Sequence, residues 1–164
     1  MKFSPKYIAG FAAVALGCSL VAAQDIKLTP LEQKNQDVAF KEFHDMNQYY
    51  HYDLAPQVIV PDYIQHNPNT PGGLDGYVKY MTHLHPVPDP VILPEWKSKP
   101  ILIITSGDLS LFMFDRQVPD PAHPDRKYNY NHVDMVRVEN GMVQEHWDGV
   151  RKAQPPAAAP PKAQ

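Results

Sequence analysis

The stretch HVDMVRVENGMVQEHWDGV, residues 132–150, reads as two alternating runs folded back on each other around Asn140-Gly141. One run carries His132 and Asp134, the other His146 and Asp148. Which faces these groups occupy depends on the turn. A two-residue turn pairs Glu139 with Met142 and splits them, since Asp134 then opposes Trp147. A three-residue loop with a bulge at Gly141 pairs Val138 with Met142 and sets Asp134 opposite His146 and His132 opposite Asp148. The second register collects the four ionisable groups on one surface and Val133, Met135, Val143 and Trp147 on the other, with Arg137 near Glu145. Register follows the side-chain pattern, so the three-residue loop is the expectation.

Upstream, WKSKPILIITSGDLSLFMFDRQV (96–118) holds two further strand-like runs split by Ser106-Gly107-Asp108, followed by a polar, proline-rich loop. Before them lie helical signals. Thr29 can cap, Pro30 suits the first turn, and Glu32 completes a capping box ahead of LEQKNQDVAFKEFHDMNQYY. Ala55 to Val60 predicts a short second helix and GLDGYVKYMTHLH (73–85) a third, stopped by Pro86. Helices first and antiparallel strands after describe an α+β domain over residues 26–152, its helices wrapping one face of a curved sheet.

The ends differ from this core. MKFSPK followed by IAGFAAVALGCSLVAA has the order of a secretory signal peptide over residues 1–23, which places the protein in the periplasm or outside the cell. No stable membrane insertion is expected after cleavage. The single cysteine, Cys18, lies in this segment, so the mature chain has no thiol. The alternative is a lipoprotein anchored through Cys18. AQPPAAAPPKAQ, residues 153–164, cannot bury a core and reads as a disordered tail.

The chain has 164 residues with a formal net charge of -3, and its 15 basic and 18 acidic residues are interspersed. No basic stripe of the kind that holds phosphates is present, which argues against a nucleic-acid partner. There is no Gly-x-Ser-x-Gly elbow and no phosphate-loop pattern. His83 and His85 form a His-x-His pair, but no third ligand stands at a suitable spacing, so no metal site is expected.

Three stretches in order, YIQHNPNTPGGLDGYVKYM (63–81), ILIITSGDLSLFMF (101–114) and residues 132–150, resemble the SnoaL-like polyketide cyclases of the nuclear-transport-factor-like superfamily. The resemblance implies a cone-shaped α+β barrel around a deep, mainly apolar pocket, homodimers through the outer sheet face, and no metal or organic cofactor. It implies an acidic residue near the end of the last strand as acid/base, which falls on Asp148. Asp134 and His132 would orient or tune it. Tyr63, His66, Asn67 and His146 would contact the substrate. The function so implied is an exported, cofactor-independent acid/base enzyme, an aldol-type cyclase, isomerase or hydratase, acting on a small apolar carbonyl compound. The alternative is a non-catalytic periplasmic module that binds a small molecule.

Overall fold

The computed structural model describes residues 27–150 except Pro124, so the signal-peptide and tail readings lie outside the described residues. Helix α1 (Pro30–Phe40) begins as the sequence indicates: the Thr29 hydroxyl accepts from the Glu32 amide, and the Glu32 carboxylate accepts from the Thr29 amide. The helix does not continue regularly. Lys41–Met46 widens into a π-helical segment, and Glu42, Phe43, His44 and Met46 are all buried there. A wider turn narrows the angle between consecutive side chains, so more neighbours along the chain point inward, which fits the weak apolar spacing of this segment.

A short helical turn, Tyr52–Leu54, leads into α2 (Ala55–Val58). Strand β1 (Ile59–Gln65) follows directly, where the sequence suggested a continuing helix and then a turn. Pro61 is compatible with this because β1 lies at the sheet edge. Helix α3 (Leu74–Leu84) starts after Gly73, which takes a φ of 75° while its amide donates to the Tyr63 carbonyl. The remaining strands are β2 (Leu102–Ser106), β3 (Leu109–Pro119), β4 (Lys127–Glu139) and β5 (Met142–Asp148).

The sheet order is β1-β5-β4-β3-β2. It is antiparallel except for β1, which pairs with β5 in parallel, so the sheet is mixed where sequence alone suggested only antiparallel strands. The inner face carries Phe112, Phe114, Val136, Val138 and Val143 against Phe43, Met46, Ile59, Tyr63 and Tyr77. Trp96, from the proline-rich connection before β2, closes the same core over Phe112 and Phe114.

The hairpin of residues 132–150 corrects the expected loop. Its turn is two residues long: Glu139 pairs with Met142, and Asn140 and Gly141 have φ values of 54° and 78°, the left-handed pair that such turns require. The bulge sits further along, at Gln144. Val138 pairs with Val143 but Arg137 pairs with Glu145, so one residue of β5 is passed over. From there Val136 opposes His146 and Asp134 opposes Asp148. The four ionisable groups do share the inner face, but through a bulge three residues beyond Gly141 and with different partners. Val143, expected outside, is fully buried inside.

Candidate acid-base pocket

β4 and β5 bring His132, Asp134, His146 and Asp148 into one cavity of about 330 Å³. The floor is polar, with Gln65 and Asn67 of the β1 end beside the ionisable groups. Phe43, Tyr77, Met81, Leu84 and Phe114 supply the apolar wall. The hollow is therefore mixed where the resemblance implied a mainly apolar one. Alternation along β1 and the segment after it explains which groups reach it. Gln65 pairs with His146 and faces inward, as does Asn67, whose amide donates to Asp148 Oδ2 at 2.7 Å.

His66 points the other way. Its ring stacks on Trp147 at 4.6 Å between centroids, and Nε2 meets Glu145 Oε2 at 2.8 Å, with Glu145 also paired to Arg137. It thus belongs to the outer sheet face and does not line the cavity, contrary to its expected contact with the substrate. Tyr63 is inside but beneath the cavity floor, 1% exposed, its hydroxyl accepting from Gln65 Nε2 at 3.1 Å and contacting His146 Nδ1 at 3.1 Å. The structure brings together Asp148, Asp134, His132, His146 and Asn67 in the cavity, with Tyr63 below and His66 outside.

Charges in this cluster are closely ordered. Asp134 Oδ1 receives His132 Nε2 at 3.0 Å and His146 Nε2 at 3.4 Å. The other nitrogen of His132 lies 3.0 Å from the Tyr130 hydroxyl. On its far side His146 Nδ1 lies 3.3 Å from Glu42 Oε1. Glu42 is 0% exposed, and its carboxylate has no hydrogen bond of good geometry among the described residues, so the imidazole is its counter-charge. Burial alone would raise the Asp134 carboxyl, but the bonds and charges of the two imidazoles outweigh it and hold it at about 2. Burial works against a charged His146 too, yet Asp134 and Glu42 on either side raise it to about 10. At neutral pH the pocket therefore holds an Asp134 carboxylate against a His146 imidazolium. Burial lifts the Tyr63 and Tyr77 hydroxyls well above their ordinary range, so both stay protonated.

Asp148 is differently placed. It is half-buried, opposes Asp134 across the strands, and takes the neutral amide of Asn67. Asp134, His146 and Asp148 each offer one ligand-type atom within 4.8 Å of the others, a spacing a divalent ion could bridge. The Nε2 of His146 is however engaged as a donor to Asp134, so a cation there would have to displace a proton. His85 lines the cavity rim and stacks on Tyr50 at 4.2 Å, and His83 is exposed; neither joins that group.

Sequence reasoning missed Glu42, Gln65, Tyr130 and Arg116. Gln65 follows from the alternation Tyr63, Gln65, Asn67 once β1 is read as a strand. Tyr130 and Arg116 follow from the inner-face alternations ending at His132 and Phe114. Glu42 left no signal, because a charged residue on a helix reads as solvent-facing unless the π-helical turn is foreseen.

No protein-family model matches the chain, and no curated protein matches it significantly. Solved structures do. A protein assigned as a SnoaL-like polyketide cyclase from Jannaschia sp. CCS1 superposes with a TM-score of 0.53 at 13% identity, covering 75% of this chain and 90% of its own. An NTF2-like protein of unknown function from Mesorhizobium loti gives 0.52 at 14% identity, covering 77% and 98%. A protein assigned as a polyketide cyclase from Acidithiobacillus ferrooxidans gives 0.51 at 11% identity, covering 73% and 89%. The chain thus has the α+β cone fold of the nuclear-transport-factor-like proteins. That is the fold the motif order in residues 63–150 implied, and solved structures assigned as SnoaL-like polyketide cyclases are among those that share it.

Proposed function

We propose that the protein is an exported, cofactor-independent acid/base enzyme that moves a proton on a small carbonyl compound, as an aldol-type cyclase, isomerase or hydratase would. The observation that carries this reading is the facing of Asp134 and Asp148 across β4 and β5, inside a cavity that also holds two imidazoles. The two carboxylates have unlike surroundings, which is how one site separates a base from a stabilising charge. Asp134, held at about 2 by both imidazoles, is too weak a base at neutral pH and serves as the fixed anion that orients them. Asp148, whose donors are the neutral Asn67 side-chain amide and the Val150 backbone N–H, takes the proton from the carbon next to the carbonyl. Both imidazoles spend Nε2 on Asp134, so what His146 offers a developing enolate is the positive charge of its buried imidazolium rather than a free N–H. Tyr63 and Gln65 act beneath, holding His146 in place.

The apolar outer sheet face supports a second copy of the chain as partner. Leu102, Ile104 and Leu109 are exposed there, beside Leu111, Met113, Val133, Met135 and Trp147 on neighbouring strands. Export rests on the order of charge, apolar run and small residues in residues 1–23.

The test is deuterium uptake. Mass spectrometry of ligands that co-purify with the mature protein supplies a carbonyl compound, and its α-proton exchange in D₂O is followed by NMR. Asp148→Asn should slow enzyme-dependent exchange at least ~100-fold, the usual minimum for a positioned base. If the wild-type protein retains such a ligand tightly but exchanges none of its protons, the pocket is a binding module.

A further inference from the structure

The cavity is also lined by an arginine that the proposed proton transfer does not use. Arg116 follows Phe112 and Phe114 on the inner face of β3 and lines the cavity. Its guanidinium lies over the Phe114 ring, 5.8 Å from the centroid. The other described arginines face acids, Arg126 toward Asp125 and Arg137 toward Glu145, whereas Arg116 has no acidic partner among the described residues. An arginine side chain stacked on a ring and open toward a cavity presents its planar fork to an incoming oxyanion.

Its place along the strands gives the spacing. Phe112 pairs with Asp134, Phe114 with His132 and Arg116 with Tyr130. Each two-residue step along an antiparallel strand is roughly 7 Å, so the Arg116 backbone lies two such steps beyond Asp134. Because the guanidinium returns over Phe114, the charge is nearer the level of His132, roughly 7 to 10 Å from the Asp134 and Asp148 end. That end sets two carboxylates, Asp134 and Asp148, against the one His146 imidazolium, which Asp134 already pairs, so a full anion is better placed at the Arg116 end. Only one orientation of an anionic ligand satisfies both.

We infer that Arg116 is a specificity-determining anchor, and that the substrate is a carbonyl compound bearing a carboxylate or similar anion about six to eight covalent bonds from the reacting carbon. This inference rests on the proposed proton chemistry for the word substrate, and narrows the apolar class to one with an acidic end. The anion pairs with Arg116 at the mouth, the chain between crosses Phe114, and the carbonyl reaches His146 and Asp148.

The probes are 8-oxononanoate and its neutral amide, titrated into the mature protein by calorimetry. The wild-type protein should bind the acid at least about tenfold more tightly than the amide, equivalent to 1.4 kcal/mol. Arg116→Gln should bring the two to equal affinity without changing that of the amide, and Arg116→Lys should keep part of the preference. In Asp148→Asn the preference should persist, so loss of the proton chemistry and loss of the anchor are separate results. Equal binding of acid and amide by the wild type, an unchanged preference in Arg116→Gln, or no binding of either probe would overturn the inference.

Discussion

Glu42 and His146 meet at 3.3 Å in the interior, a carboxylate from a π-helical turn against an imidazole from the last strand. This contact joins the helical layer to the sheet and is the innermost link of a chain that continues through Asp134 and His132 to Tyr130. Its charges are mutually dependent. Removing one member strands the next in a medium that cannot solvate it.

Glu42→Gln should therefore destabilise the protein strongly although it is nearly isosteric. Breaking a buried pair by neutralising one partner costs roughly 3 to 5 kcal/mol. Urea denaturation at neutral pH measures the loss. An NMR titration of the His146 ring should show its protonation moving to lower pH. A variant as stable as the wild type would mean that Glu42 does not serve as the counter-charge.

Stability should also depend on pH with a definite sign on each side. His146 rises from an ordinary 6.5 to about 10, so its contribution is complete below 6.5, shrinks as pH climbs, and is gone above about 10. Asp134 falls from 3.8 to about 2, so its contribution is complete above 3.8 and is lost as pH drops through about 2. The two groups share one interaction, and their contributions are not summed. The unfolding free energy should plateau between pH 3.8 and 6.5 and decline on either side. Chemical denaturation across pH, repeated with His146→Phe, checks this: the alkaline decline should flatten in the variant, and its persistence would assign it to another group.

The outer sheet face makes a prediction about assembly. Ile104 is 50% exposed and Leu102 41%, on a strand at the sheet edge. A contiguous apolar patch of this kind marks an interaction surface. Light scattering after size exclusion should give a dimer for the mature protein and a monomer for Ile104→Glu, with little change in the far-ultraviolet dichroism. A monomeric wild type would remove the second copy from the account.

Much of this was legible in the sequence, and for physical reasons. Thr29 with Glu32 names its cap, and Asn140-Gly141 marks where the chain reverses, although its two left-handed residues form the two-residue turn that the sorting of side chains had argued against. The inward facing of His132, Asp134, His146 and Asp148 followed from sorting apolar from ionisable side chains. Their cross-strand partners did not follow, since a strand can absorb an extra residue at Gln144 that no residue preference announces. β1 was hidden because Ile59 to Gln65 is short and contains Pro61, which propensity counts against a strand unless its edge position is known. His66 was misplaced for the same reason: once β1 runs to Gln65, alternation sends it outward beside Trp147.

The spare residue at Gln144 has a consequence for engineering. Counted from the turn, His146 and Asp148 stand at odd-even places that an unbroken ladder would send outward, and the bulge absorbs the mismatch. Shortening β5 by that one residue would straighten the ladder while leaving both side chains pointing as they do. Lengthening it by one would have to rotate them away or force a second kink. The hairpin thus tolerates a deletion where it resists an insertion, an asymmetry that length variants of this loop would have to respect.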